Sequence, residues 1–410
     1  MSRGSVVRRE AVRRSRRTGT AVFLACTALA SALGADSELS AQSLFSVGGL
    51  GSPVEGLDAR ARALGSVGIG LPGYSFYAYD PTGAAGVPAP LLQVSMQPTW
   101  GVVTGGEEDQ EFRATRFPQL SFAYPVGETG TAFFTYSAFL DQRWRLAEAD
   151  TANLGGEQVL ITDEFESDGG ISQLSVGWAQ SLGETLAVGA AAGLYTGRLR
   201  RTLSRTFSAE DLGVEIPPYV AGGEWTTTGP RAILGVRWDP RPIVRVAASV
   251  EWSGDLDVEP AQGTERGAQK VDLPIVYRLG GAANLTSDLS LVASFSYADF
   301  NGESSGLGAQ SSEGAEISWG TGLEFTALRI LGRGLPLRLG YRAVDYPFQF
   351  EGSSVKETVI SVGFGYAFAA NDDYPTALLE VGVERGGRTA GAPEEEEFWR
   401  ATLSLRLSGG

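Results

Sequence analysis

The residues able to do chemistry are few. The chain of 410 residues has no histidine, one cysteine (Cys26) and two lysines, Lys270 and Lys356. That excludes the common nucleophilic triads and the HExxH zinc site. Serine with lysine, or paired carboxylates, can also catalyse reactions. Both lysines lie at loop–strand borders, however, and no spacing nominates an acid pair. Gly68-Ile69-Gly70-Leu71-Pro72-Gly73 spells the dinucleotide fingerprint, which requires a helix opening after it. Pro72 and the aromatic run at 74–79 do not open one. The acids Asp255/Asp257, Glu107/Glu108 and the run 394–397 offer calcium-type oxygen ligands, but without loop geometry they read as solvated charge. No catalytic residue, no metal site and no cofactor is expected.

A second set of charges is more informative. Arg231, Arg237, Arg245, Arg278, Arg338, Arg342, Arg400 and Arg406, with the acids Glu251, Glu324, Glu380 and Glu384, recur on one side of extended segments. Such a set makes either a hydrated pore wall or a cross-linked lattice that closes the interior. The elements that must position these charges are strands. In 242–254, Val244, Val246, Ala248, Val250 and Trp252 oppose Arg245, Ala247, Ser249 and Glu251. In 288–299, Leu289, Leu291, Ala293, Phe295 and Tyr297 oppose Ser290, Val292, Ser294 and Ser296. In 397–407, Trp399, Ala401, Leu403, Leu405 and Leu407 oppose Arg400, Thr402, Ser404 and Arg406. This is period two, the signature of a sheet with unlike faces.

The period predicts strands at 91–103, 112–125, 130–143, 171–181, 185–203, 224–238, 243–254, 271–283, 288–299, 314–327, 336–344, 356–369, 375–385 and 397–407. Every second connection is a tight turn: 125–129, 181–184, 239–242, 284–287, 329–335 and 370–374. The others (104–111, 144–170, 204–223, 255–270, 300–313, 345–355 and 386–396) are mostly longer and polar. Segregation of long loops by parity predicts an all-β fold: a transmembrane up-and-down antiparallel β-barrel of about fourteen strands. A sheet can cross lipid only when closed, because unpaired backbone groups are too costly there. Trp178, Trp238, Trp252, Trp319 and Trp399, near strand ends, suit interfacial aromatic girdles.

The first residues read as an export signal, expected to span 1–41. Seven arginines between Arg3 and Arg17 precede an apolar run at 21–33 and small residues up to Ala41, a pattern too short for a spanning helix. Cleavage after Ala41 or near Gly34 fits equally. Removing 1–41 takes away seven arginines and three acids, which moves the charge from −15 to −19. Such a surface repels nucleic acid, and the remainder holds no cysteine for disulfides or thiolate metal sites.

Residues 56–90 read GLDARARALGSVGIGLPGYSFYAYDPTGAAGVPAP. This resembles the N-terminal signature of the long-chain fatty-acid transporter (FadL) and PorV-like outer-membrane families, with Asp80, Pro81, Thr82 and Gly83 opening the turn for which those families use Asn-Pro-Ala-Gly. The segments 336–348, 357–369, 378–388 and 396–407 resemble the closing strands of the same superfamily. The resemblance implies a hatch at 42–90 inside a barrel at 91–410, with hydrophobic ligands leaving sideways through the wall. Pro72, Pro81, Pro88 and Pro90 agree that this stretch is not ordinary strand, although a periplasmic strap fits too. Val292 is one of few apolar inward residues able to line a ligand route, and Pro98, Pro118 or Pro274 could kink a strand to open it. The resemblance implies passive passage of hydrophobic small molecules such as long-chain fatty acids across an outer membrane, or else a PorV-like anchor or structural role. Expected partners are outer-membrane lipid, a hydrophobic small-molecule ligand and the barrel-assembly machinery.

Overall fold

The computed structural model describes residues 51–409, apart from 74, 105–108, 155–156, 209–216, 265–266, 301–313, 351–352, 371–373 and 392–394. The expected leader 1–41 and the first part of the expected hatch lie outside the described residues. Fourteen long strands follow one another: β1 (Leu91–Thr104), β2 (Gln110–Val126), β3 (Gly130–Asp141), β4 (Glu157–Leu182), β5 (Leu186–Ser208), β6 (Tyr219–Arg241), β7 (Val244–Ser253), β8 (Val276–Asn284), β9 (Leu289–Asp299), β10 (Ala315–Phe325), β11 (Leu337–Phe350), β12 (Ser353–Ala370), β13 (Pro375–Thr389) and β14 (Glu395–Ser408). Each pairs antiparallel with the next. The last closes on the first, from Leu91 opposite Ser408 to Thr104 opposite Glu395. A closed ladder leaves no sheet edge for lipid to desolvate.

The two faces differ as the alternation predicts. On β6, Leu234, Val236 and Trp238 are exposed while Arg231 and Ile233 are buried. The apolar side chains that point outward include all five expected tryptophans and also Trp100, each more than 40% exposed. Trp178 and Trp238 lie toward the tight turns; Trp100, Trp252, Trp319 and Trp399 lie toward the opposite rim. Trp238 sits opposite Val246, six residues below Trp252, so the girdles are about 20 Å apart along the strand. That is close to the ~25 Å apolar band of membrane barrels. An apolar surface this continuous is far beyond what a soluble monomer exposes.

Several expected loops are strand. β4 begins at Glu157, well before the expected 171, and forms a hairpin with Trp144–Leu154. Leu256–Pro260 pairs with β6 and with Gln269–Val271, and β11 and β12 run on through most of 345–355. Outside the bilayer both faces of a sheet meet water, so the greasy/polar contrast that marks the spanning portions is lost. At about 3.4 Å per residue, the 26 residues of β4 stand far above the roughly ten needed to cross. At the other rim the connections stay tight. Gly127, at φ +70°, supplies the left-handed position that the short β2–β3 turn requires.

The described part of the N-terminal segment lies inside the barrel, not as a strap beneath it. Asp58 caps a single helical turn, α1 (Ala59–Ala63), by accepting from Ala61 N at 2.8 Å. A 3₁₀ turn spans Pro81–Ala84. The segment lies directly on the wall's backbone. A side chain at Gly320 would sit 1.9 Å from Gly65 O, and one at Gly340 2.1 Å from Gly65 N. Only glycine admits this approach. One cluster joins Leu57, Ala61, Leu64, Val67, Leu71 and Tyr77 to Ala282 and Val292 of the wall. Val292 therefore packs under the hatch and does not line a ligand route. A second cluster joins Phe76, Ala84, Ala85 and Val87 to Phe133, Ala187 and Ile233.

Candidate functional site

The expected lumen charges face inward and are paired into a lattice. Arg60 of α1 donates to both oxygens of Glu324, at 3.0 and 2.7 Å. Glu324 also accepts from Arg338 at 2.8 Å, and Arg338 reaches Glu380 at 2.9 Å. Glu55 joins Arg62 (2.9 Å) to Arg342 (3.1 Å), and Arg342 continues to Glu357 at 2.5 Å. Arg400 lies 3.5 Å from Glu384, and Arg406 lies 3.7 Å from Glu380 while donating to Ser75 at 2.8 Å. Glu251 is shared by Arg231 (2.7 Å) and Arg278 (2.7 Å). Arg245 pairs with Asp239 at 2.7 Å. Of the two sequence alternatives, these distances describe a cross-linked interior rather than a free pore wall.

The half of the hatch facing β2–β7 is held differently. Wall side chains donate to its carbonyls: Gln119 to Phe76 O (3.0 Å), Arg237 to Thr82 O (3.0 Å), Arg245 to Leu71 O (3.1 Å) and Ser249 to Tyr79 O (2.8 Å). The turn motif fixes this half. Asp80 accepts from Gly70 N at 2.9 Å, Thr82 N at 3.0 Å and Thr82 Oγ1 at 2.5 Å, with Pro81 opening the 3₁₀ turn. Gly83 packs on Phe76, where an added side chain would meet Phe76 Cβ at 3.1 Å. The G-x-G-x-x-G string is spent on packing too: Gly70, at φ +71°, lies on the backbone of Gly280, and no helix follows it.

Burial shapes the titration of the hatch. It pushes the Asp58 carboxyl up, with Glu380 adding to the effect and the Ala61 amide, Arg406 and Tyr77 opposing it. Burial pushes the Tyr79 phenol up to about 12, with Glu55 adding to it.

Between β2 and β3 the wall parts. The two strands pair from Val126–Gly130 up to Gln119–Ser137 and then separate. At this level Phe117 and Pro118 bulge from the β1–β2 ladder, which steps from Ser95–Gln119 to Gln97–Arg116. Pro118 has no N–H to donate. β3 bulges at Phe139 between Ala138 and Leu140. Above the break, β3 pairs with the hatch instead: Ser52 opposite Asp141, Pro53 opposite Leu140, and Val54 N donating to Phe139 O at 2.8 Å. Arg116 and Arg143 both engage Asp141, so an ion pair spans the parted strands. Pro98 lies within β1, across from Thr115. Pro274 lies in no strand, between Val271 and Val276.

Behind the break is a cavity of about 160 Å³. Val54, Leu57, Ile69 and Tyr79 of the hatch bound it on one side. Phe139, Leu140, Tyr195, Leu273 and Val276 bound it on the wall side, with a polar band of Glu251, Arg278, Ser296, Glu316 and Ser318. The Phe139 and Tyr195 rings lie 4.6 Å apart, tilted 43° to one another. Pro53, Val54, Phe139 and Leu140 belong to both the cavity lining and the break. Of the lumen charges expected from sequence, only Glu251 and Arg278 line it. Glu316 was missed, although it shares the inward parity of Glu324, eight residues further along β10. The apolar lining comes from eight separate stretches of chain, and no local pattern marks it.

No protein-family model matches the chain, and no curated protein matches it by sequence. Among solved structures it is similar to the toluene transporter TbuX of Ralstonia pickettii, with TM-score 0.54 and 14% identity over 90% of this chain and 100% of that one. It is similar to a Pseudomonas aeruginosa FadL homologue, with TM-score 0.60 and 11% identity over 88% and 99%. It is also similar to the toluene transporter TodX of Pseudomonas putida, with TM-score 0.55 and 13% identity over 87% and 99%. At such identities the likeness is one of fold. The chain therefore has the fold of the FadL-family outer-membrane transporters, a closed antiparallel barrel of fourteen strands with its N-terminal segment packed inside.

Proposed function

We propose that the protein sits in an outer membrane and passes hydrophobic small molecules from the exterior into its internal cavity and out through the wall between β2 and β3. The observation that carries this reading is the shared lining: Pro53, Val54, Phe139 and Leu140 separate the cavity from the point where the ladder parts. An anchoring or structural barrel of the PorV kind needs neither a cavity nor a parted wall. An apolar molecule that enters the bilayer sideways never has to cross the water-filled space beneath, which is where its transfer would be most costly.

The cavity volume bears on the substrate. A space of about 150 Å³ lined by aliphatic and aromatic residues is enough to bind benzene, so about 160 Å³ fits one ring or a short chain. A long-chain fatty acid would have to extend out of it. Two of the fold neighbours, TbuX and TodX, are toluene transporters, and the size agrees with a ligand of that scale.

The test is uptake by cells with and without the gene, using radiolabelled toluene and a labelled long-chain fatty acid at limiting concentration. Deletion should slow uptake of the ring compound, and wild-type protein should restore it. Ser296→Phe, which fills the cavity from the wall, should not. Uptake unchanged by deletion would overturn the reading.

A further inference from the structure

The acids around the cavity are not equivalent. Glu251 is matched by Arg231 and Arg278, and Glu55 by Arg62 and Arg342. Glu316 lines the same cavity, and its carboxylate has no hydrogen-bond or ion-pair partner among the described residues. The cations within electrostatic reach of it are Arg342 and Arg278, and both are committed elsewhere. Arg342 bridges Glu55 and Glu357; Arg278 holds Glu251 and lies over the Tyr79 ring at 4.6 Å. The nearest other carboxylates, Glu55 and Glu357, make the position more negative. Its polar neighbours in the lining, Ser296 and Ser318, bond to one another at 2.8 Å. Where the other charged groups of the lining are paired, a carboxylate left over at the cavity surface is an acceptor waiting for a donor.

From this we infer that Glu316 selects the ligand, and that the cavity takes a small apolar molecule bearing one hydrogen-bond donor, a hydroxyl or a protonated amine, and rejects carboxylates. The apolar body would lie against Val54, Leu57, Phe139 and Tyr195, with the donor turned toward Glu316 on β10. A carboxylate in the same place would meet Glu316 and Glu55 with no uncommitted cation among the described residues to offset them, and like charges at close range in a low-dielectric site are strongly disfavoured. This rests on the transport reading above and narrows it: the wall of the cavity is apolar, as a hydrocarbon carrier needs, but its unpaired carboxylate asks for a polar end.

Burial, with the charges of Glu55 and Glu357, pushes the Glu316 carboxyl up to about 7. The experiment is therefore equilibrium dialysis of radiolabelled benzylamine, benzyl alcohol, toluene and benzoate against the purified barrel at about pH 8.5, where that carboxyl is ionised, with detergent-only controls. The four probes share one ring and differ in the group attached. The wild-type protein should bind benzylamine and benzyl alcohol more tightly than toluene, and benzoate weakest. Glu316→Gln, which keeps the shape and removes the charge, should weaken benzylamine about tenfold or more, the scale of one hydrogen bond to a charged group, and should raise benzoate. The wild-type ranking tests the inference even if the variant does not fold. Toluene bound as tightly as benzylamine, or a benzylamine-to-benzoate ratio unmoved by Glu316→Gln, overturns the role of Glu316 and leaves transport standing. No binding of any probe overturns both.

Discussion

Glu324 joins α1 to the wall, and its removal gives the sharpest test of how the hatch is held. In the native structure it accepts both Arg60 and Arg338, all three side chains less than a tenth exposed. Glu324→Ala leaves two guanidinium groups facing each other without the acid between them. Breaking a buried pair from one side costs about 3–5 kcal/mol. At about 1.4 kcal/mol per tenfold, the undocked population of α1 should rise by roughly a hundredfold to a few thousandfold. The loss is local, because the strand ladder is untouched. A thiol reports it: Ala61→Cys, in a Cys26→Ser background, buries the chain's only sulfhydryl in the hatch cluster. Where undocking is fast relative to labelling, the maleimide rate follows the open population, so Glu324→Ala should accelerate labelling by about 100-fold or more while the barrel keeps its folded mobility on gels. Adding Arg60→Met removes one of the stranded charges and should recover much of the protection, since Arg338 still has Glu380. Labelling within about threefold of the parent would refute the claim that this lattice holds the hatch.

Other outcomes follow from the same structure. Gly340→Val must displace Gly65, whose nitrogen lies 2.1 Å from the added carbon; bilayer recordings should show a larger or noisier conductance than the parent. Leu234→Arg, on the outer face between the girdles, should cost about 2–4 kcal/mol of folding into vesicles by urea titration, whereas Val220→Arg, on the part of β6 beyond the rim, should cost little. Asp58 has its carboxyl pushed up in the docked hatch, so docking favours the protonated acid. Docking should be strongest below the unfolded value of about 4 and weaken as pH rises through the folded one. Asp58→Asn should flatten that slope in the labelling assay once the thiol's own titration is divided out.

The spanning portions were legible because lipid imposes a contrast at every second residue. Leu234, Val236 and Trp238 alternate with inward Ile233, Gly235 and Arg237 in plain view. Trp144–Leu154 was not legible, because a hairpin in water has no greasy side to betray it, and WRLAEADTANL reads like any acidic loop. The hatch interior was half legible. The prolines at 72, 81, 88 and 90 showed that it was no strand, and Asp80-Pro81 marked its turn. The seats it rests on were written into the wall as inward glycines, Gly320, Gly322 and Gly340, and counting parity on β10 and β11 would have exposed them. The cavity and the parted wall depend on which distant stretches converge, and on a bulge at Pro118 that a proline alone does not determine.

The seam between β1 and β14 closes the cylinder, and it joins residues from opposite ends of the barrel sequence, from Leu91 with Ser408 to Thr104 with Glu395. The segment 51–90 comes directly before β1, so it is made first and enclosed last. Once the seam is shut, the ion pairs and backbone contacts that seat this segment can form only from within. A cylinder that sealed while empty would have to admit some forty residues through a rim already crowded by its own hairpins. Biogenesis therefore has to wrap the wall around its contents, and a defect in seating should surface as a failure to finish the cylinder rather than as a finished cylinder lacking its filling.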